Sequence, residues 1–202
     1  MKKKIILLGC GGHSRAIIDI VEAINQWQII GLVGNPEDLG TFSLGYEVVA
    51  TDESLYQWRS ICSSAFVAVG QIGLSTKRKR LSRLLKDLSF DIPTLKAPSS
   101  VVSKYAKIGK GTSIGHGAVV NAGASIGDHC IINTNSLVEH DSNIGDFCHL
   151  STGVIINGGV DIGPDSFIGS GSIIREGLAL PASTVVSAGK RIMGLPLMQE
   201  NH

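Results

Sequence analysis

The stretch VSKYAKIGKGTSIGHGAVVNAGASIGDHCIINTNSLVEHDSNIGDFCHLSTGVIINGGVDIGPDSFIGSGSIIREGLALPASTVV, residues 102–186, repeats itself every six residues. Val102, Ile108, Ile114, Val120, Ile126, Ile132, Val138, Ile144, Leu150, Ile156, Ile162, Ile168, Ile174, Leu180 and Val186 stand at that spacing without gap or insertion. If about a quarter of residues are Ile, Leu or Val, chance yields such a register roughly once in a billion. Glycine often follows the aliphatic residue (Gly109, Gly115, Gly127, Gly145, Gly163, Gly169), and the fifth place is often small (Thr112, Ala118, Ala124, Ser136, Ser166, Ser172, Thr184). A period of six is neither the 3.6 of a helix nor the simple alternation of a flat strand. It calls for one short strand and one corner per repeat, and three such sides close a coil of about eighteen residues. The spacing therefore predicts a left-handed parallel β-helix from about residue 98 to 189, with the aliphatic residue inside and the small residues allowing the turns.

Upstream the pattern changes. Lys4–Leu8 reads as a short apolar strand, residues 9–14 (Gly-Cys-Gly-Gly-His-Ser) as a tight glycine loop, and Arg15–Ile24 as a helix with Ile17, Ile18, Ile20, Val21 and Ile24 facing the core. Ile29–Val33, Tyr46–Val49 and Ala65–Val69 read as strands, and Glu53–Trp58 as a helix. Leu74, Leu81, Leu84, Leu85 and Leu88 mark one face of a longer helix, on which Lys77, Arg78, Lys79 and Arg80 form a run expected to be solvated. This alternation predicts a small Rossmann-like α/β domain over residues 1–96, followed by the β-helix domain and a C-terminal tail over 97–202.

Composition narrows the partners. With 18 basic and 17 acidic residues, the chain has no general attraction for nucleic acid or an anionic membrane. Cys10, Cys62, Cys130 and Cys148 form no CxxC pair and no metal-type spacing, so free thiols, no metal and a cytoplasmic location are expected. The apolar Ile5–Leu8 is ended at once by glycines, and no run approaches the ~20 residues of a membrane span.

Two places carry chemistry. The glycine loop lies between a strand and a helix, where backbone N–H groups favour a phosphate. Ser14 stands where a dinucleotide fingerprint has its third glycine, and the second strand ends in Gly34-Asn35 rather than in an acidic residue, which argues against NAD; the loop is then read as holding the phosphate of a nucleotide-linked sugar, or as simply allowing a close strand-to-helix turn. In the repeat region, His140 lies between Glu139 and Asp141, carboxylates able to orient an imidazole, and Gly158 stands one coil later. A base for an attacking amine or hydroxyl, and backbone N–H groups for a thioester oxygen, are the needs of direct acyl transfer.

The opening residues 5–14, the hexapeptide array, the stretch Ile132–Asp141 and the tail Ala188–Pro196 together resemble the sugar O-/N-acyltransferase family over almost the whole chain. The resemblance implies an acetyl-CoA-dependent N-acetyltransferase of a nucleotide-activated amino-deoxy sugar in surface polysaccharide or glycan biosynthesis, with O-acetylation of a sialic-acid-like sugar as the alternative. It implies His140 as general base supported by Asp141, with Glu139 beside them. Asn133 and His149 would lie near the thioester and acceptor, Gly158 would meet the thioester carbonyl, and Ser170 and Ala188 would line the pantetheine groove. Gly9, Gly11, Gly12, His13 and Ser14 would hold the acceptor. A homotrimer with sites between neighbouring β-helices, acetyl-CoA as cosubstrate, and no nucleic acid or membrane insertion complete the expectation.

Overall fold

The computed structural model describes residues 2–194, which form two units. The first comprises residues up to 71 and 75–98, the second 72–74 and 99 onward.

The first unit contains β1 (Lys3–Leu8), α1 (Gly12–Ile24), β2 (Trp27–Gly34), β3 (Phe42–Ser43), β4 (Tyr46–Thr51), β5 (Ser64–Val67) and α2 (Thr76–Asp87). The sheet order is β3-β4-β2-β1-β5, parallel except for the antiparallel edge strand β3. Ile5 and Leu7 of β1 pack with Ile17, Ile18 and Val21 of α1, while Ile6 and Leu8 pack with Leu81 and Leu85 of α2. Burial on both sides explains why β1 is an apolar run rather than an alternation.

Several local expectations are corrected. Helix α1 starts at Gly12, not Arg15, because Gly11 is already its extended N-cap, so half of the glycine loop is the first helical turn. The segment expected as a helix from Glu53 is a 3₁₀ turn over Leu55–Ser60. Leu74 precedes α2 and is exposed. Within the basic run, Arg78 is only 2% exposed and its Nη1 donates to the Val69 carbonyl at 2.7 Å, whereas Arg80 pairs with Asp52 at the surface.

The second unit is a left-handed parallel β-helix. Its strands are two residues long, and each pairs in register with the strand eighteen residues away, as in Val119↔Leu137↔Ile155↔Ile173. Three faces result. The first carries Val101–Val102 through Arg191–Ile192, the second Lys107–Ile108 through Ala179–Leu180, and the third Ser113–Ile114 through Val185–Val186. The second residue of each strand points inward, and those from Ile114 to Val186 make one continuous core. Ile192 extends the series past the expected end at Gly189. Leu195 and Pro196 of the C-terminal motif lie outside the described residues.

The small residues have two separate causes. Glycine after the aliphatic residue is a matter of close approach: at Gly145 a Cβ would lie 2.6 Å from the Pro164 nitrogen of the next coil. The left-handed backbone falls elsewhere, two residues later, at positions such as Asn135, Asp141, Gly159 and Gly177. The fifth place does more than permit a corner. Ser136, Ser142 and Ser172 donate to carbonyls fifteen residues on, at Ser151, Asn157 and Ser187, over 2.8–2.9 Å. Cys130 and Cys148 do the same to Gly145 and Gly163, and burial pushes the Cys148 thiol up to about 11. These thiols are interior fasteners between coils rather than reactive groups.

Among the described residues no helix is long and apolar enough to cross a membrane. Ile156 is fully buried in the β-helix core, so Ile156→Ala should cost about 2–5 kcal/mol. Ser142→Ala, which removes the bond to the Asn157 carbonyl and the one accepted from the Val160 N–H, should cost about 1–3 kcal/mol. Urea unfolding followed by far-UV circular dichroism measures both.

Candidate active site

His140 sits on the corner between the first and second faces, after the strand Leu137–Val138. Its side chain is 66% exposed. Nδ1 lies 2.9 Å from Asp141 Oδ2. An ionised carboxylate can only accept, so Nδ1 carries the proton and Nε2 offers its lone pair outward. Asp141 occupies the left-handed corner position, φ 60°, which Asp tolerates better than most residues. The hydrogen bond from the imidazole to Asp141, reinforced by the charges of Asp141 and Glu139, raises the His140 pKa above its ordinary 6.5.

Glu139 has a different part. Its Oε2 accepts from Asn121 Nδ2 at 2.9 Å and from the His140 N–H at 3.3 Å. It fixes the backbone beneath the histidine, while Asp141 alone hydrogen-bonds the ring.

Gly158 lies one coil above. A Cβ there would come within 2.7 Å of His140 Nε2, so only glycine leaves the imidazole in place. The Gly158 N–H has no hydrogen-bond partner among the described residues. The imidazole thus stands against a glycine whose N–H is open, and the two groups together can supply a base for a nucleophile and a donor for a carbonyl oxygen that gains charge.

Asn133 and His149 meet elsewhere: Asn133 follows the strand Ile131–Ile132 at the corner between the third and first faces, and His149 is the outward residue of the adjoining third-face strand His149–Leu150. Asn133 Oδ1 accepts from the Thr134 N–H at 2.8 Å, which leaves Nδ2 to donate to His149 Nε2 at 3.3 Å. His149 is only 7% exposed and meets the Phe167 ring edge-on at 5.3 Å. Ser170 and Ala188 stack on this same corner, where Ser151 and Ser170 hydroxyls lie 2.8 Å apart and the Gly189 N–H reaches the Ser170 carbonyl. Within one chain the expected site residues therefore form two groups, His140–Asp141–Glu139–Gly158 and Asn133–His149–Ser170–Ala188, on opposite edges of the first face.

In the first unit, Gly9 to Ser14 lies at the carboxyl ends of β1 and β5, where the strand order reverses direction, the usual crevice of an open α/β sheet. Gly9, φ 128°, approaches the Ala68 carbonyl so closely that a Cβ would stand 2.9 Å from it. At Gly11 and Gly12 the space around a Cβ is open, so the first turn of α1 presents bare backbone. The Ser14 hydroxyl donates to the Gly11 carbonyl at 2.6 Å, and His13 packs beside Gly70. β2 ends at Gly34 with no acidic residue there, as its sequence implies, and the nearest carboxylates follow in the turn after it. Asp38 folds back through the turn Pro36–Asp38 and accepts from the Asn35 N–H at 2.9 Å, and burial together with the nearby Asp38 carboxylate raises the pKa of the Cys10 thiol. The Asn35-Pro36-Glu37-Asp38 capping box was the sequence signal for this turn. Among the described residues no cluster of His, Cys, Asp or Glu is arranged to hold a metal ion.

This arrangement has close counterparts. Residues 4–84 match the PglD N-terminal domain, and residues 105–140 match the bacterial transferase hexapeptide repeat. A variant of perosamine N-acetyltransferase from Caulobacter crescentus, solved with CoA and GDP-perosamine, superposes with a TM-score of 0.87 at 30% identity, covering 98% of this chain and 97% of that one. The chain belongs to the hexapeptide-repeat sugar N-acetyltransferases. The acetyltransferase domain of PglB from Neisseria gonorrhoeae gives a TM-score of 0.86 at 28% identity, over 95% of this chain and 92% of that domain. A UDP-N-acetylbacillosamine N-acetyltransferase from Bacillus subtilis is 31% identical over 113 residues, which is 55% of this chain and about half, 51%, of that relative.

The titration of His140 follows from its partners. In the acyltransferase its imidazole should titrate above 6.5, and Asp141→Asn should move it downward, because the hydrogen bond to Asp141 is the largest cause of the shift. Proton NMR of the imidazole against pH reads both values.

Proposed function

We propose that the chain transfers the acetyl group of acetyl-CoA to the amine of a nucleotide-activated amino-deoxy sugar, with His140 as the general base. The observation that carries this reading is the close approach of the His140 imidazole to Gly158, whose N–H has no partner among the described residues. Nε2 takes the proton of the sugar amine as its nitrogen attacks the thioester carbonyl. The Gly158 N–H holds the developing oxyanion, and collapse breaks the C–S bond, with the CoA sulfur taking the proton from the His140 imidazolium to leave as the thiol. The first unit is the acceptor-binding part, with the α1 N-terminus and the loop Gly9 to Ser14 receiving the diphosphate. Attack on a thioester needs no acyl-enzyme, in keeping with the buried state of Cys130 and Cys148. Because acetyl-CoA and nucleotide sugars are cytoplasmic metabolites, the reading places the protein in the cytoplasm.

The working form in this reading is a homotrimer. Val119, Leu137, Ile155 and Ile173 make an apolar outward ladder on the first face, whereas Lys107, Ser125, Asn143 and Asp161 make the second face polar. Asn133 and His149 stand at one edge of that apolar face and His140 at the other, so both groups serve one thioester only when the corners come from neighbouring copies. The cosubstrate then lies in the cleft between two β-helices, against Gly158 of one copy and Ser170 and Ala188 of the next.

Incubation with acetyl-CoA and either GDP-perosamine or a UDP-linked 4-amino sugar, followed by mass spectrometry, should give an N-acetylated product. Hydrolysis of acetyl-CoA without transfer would overturn the reading. His140→Ala should lower kcat by roughly 10²- to 10⁴-fold. The base must be neutral, so the rate should rise with pH through the raised His140 pKa, and Asp141→Asn should move that limb to lower pH. Refolding His140→Ala together with His149→Ala should recover part of the activity that each lacks alone, since mixed trimers regain an intact cleft. No recovery would contradict the shared site.

A further inference from the structure

In the first unit, β2 ends on a glycine that makes room for a carboxylate. A Cβ on Gly34 would lie 2.9 Å from the Asp38 Cβ and 3.1 Å from Asp38 Oδ2, so the bare strand end is what lets the Asp38 side chain lie over it. The Gly34 backbone is not left-handed, and the position uses the missing side chain rather than a special φ. Asn35 fixes the carboxylate there: its N–H donates to Oδ2 at 2.9 Å and its Nδ2 to the same oxygen at 3.1 Å. Both bonds fall on Oδ2, so Oδ1 keeps its capacity to accept. The bond from the Asn35 N–H, above all, holds the Asp38 pKa below the ordinary carboxylate value, so the half-buried group is ionised at neutral pH and can only accept.

This fixed anion stands beside the glycine loop. It is close enough to help burial raise the Cys10 thiol pKa, and Cys10 directly precedes Gly11, the N-cap of α1. Lys77, exposed near the start of α2, is a cation whose charge reaches both Cys10 and Asp38. A diphosphate seated on the first turn of α1 therefore has a cation near it and a carboxylate next to it. The carboxylate repels an anion, so the part of a ligand that it receives must bring hydrogen-bond donors. In a nucleoside diphosphate the ribose is the group joined to the diphosphate, and the base lies one ring farther away. A carboxylate just past the second strand of an open α/β sheet, beside the phosphate loop, is in reach of the ribose 2′-hydroxyl.

We infer that Asp38, seated over Gly34, accepts a hydrogen bond from the ribose 2′-hydroxyl of the acceptor, and that the protein thereby selects sugars carried on ribonucleoside diphosphates over those carried on 2′-deoxyribonucleoside diphosphates. The inference rests on the reading of the first unit as the acceptor-binding part. The carboxylate reaches the end of β2 from the turn after it, so Gly34 and Asp38 act as a pair: one leaves the space and the other fills it.

The test measures binding rather than transfer: calorimetric titration of the full-length protein with GDP, UDP and their 2′-deoxy counterparts. The wild type should bind at least one ribonucleotide about 10- to 100-fold more tightly than its deoxy form, the worth of one hydrogen bond to a charged group. Asp38→Ala should weaken the ribonucleotide by about that factor. It should leave the deoxy form unchanged or bound more tightly, because it also removes a negative charge beside the diphosphate. The preference for ribose then disappears. Gly34→Ala, which keeps the carboxylate but pushes it off the strand end, should lose the same preference. Thermal melting of both variants separates this effect from unfolding, which would weaken all four compounds alike. Binding of GDP or UDP without a preference for ribose, or a preference that persists in Asp38→Ala, would overturn the inference and leave the acceptor reading standing. Failure of the wild type to bind any of the four would refute both.

Discussion

A coil of the β-helix must close around an interior wide enough for one layer of aliphatic side chains, and each coil has to repeat the one below in register. From that constraint the rest of the molecule follows. Parallel pairing at a constant eighteen residues makes a column of every sequence position, so a residue's surroundings are read by counting. Gly158 is next to His140 for this reason, and Gly123 is beneath Asp141 for the same one. The columns also carry the coil-to-coil bonds of Ser136, Ser142, Cys130 and Cys148, which tie side chains to the carbonyls of the next corner. Stability is then a sum over neighbouring coils, and a stiff stack results. Stiffness matters because the proposed chemistry relies on placement rather than on a covalent intermediate.

The electrostatics of the corner fit that division of labour. His140 is largely exposed, so desolvation offsets only part of the effect of its partner Asp141, which both orients the ring and makes it a stronger base. Asp141 holds this place because it stands at the left-handed residue of the corner, where the backbone turns its carboxylate back toward the preceding side chain. Glu139 works one step removed, through the Asn121 amide and the His140 N–H. Two carboxylates flanking one histidine look equivalent in sequence, and the pleat of the corner makes them unequal.

Much of this was legible in the sequence because the repeat is rigidly periodic. The inward ladder from Val102 to Val186, the corner position of His140 and the stacking of Gly158 all follow from a count of six. The aspects that escaped were set by contacts between distant segments. The buried state of Arg78 depends on the carbonyl of Val69, and Asp38 reaches the glycine loop only through a 3₁₀ turn. The start of α1 at Gly12 shows how a glycine N-cap lets a helix begin inside what reads as a loop. The separation of Asn133 and His149 from His140 was countable but hidden, since proximity along the chain hides which edge of a face each residue occupies.

The central claim is that acetyl transfer occurs where His140 Nε2 and the Gly158 N–H face the same space, in a cleft completed by a neighbouring copy. A crystal structure with CoA and a bound amino-sugar nucleotide measures this directly. The account predicts the acceptor amine within hydrogen-bonding distance of His140 Nε2 and the sulfur of CoA beside Gly158 of the same copy, with Asn133 and His149 supplied by the adjacent one. An amine seated against His149, or a thiol lying away from Gly158, would contradict it.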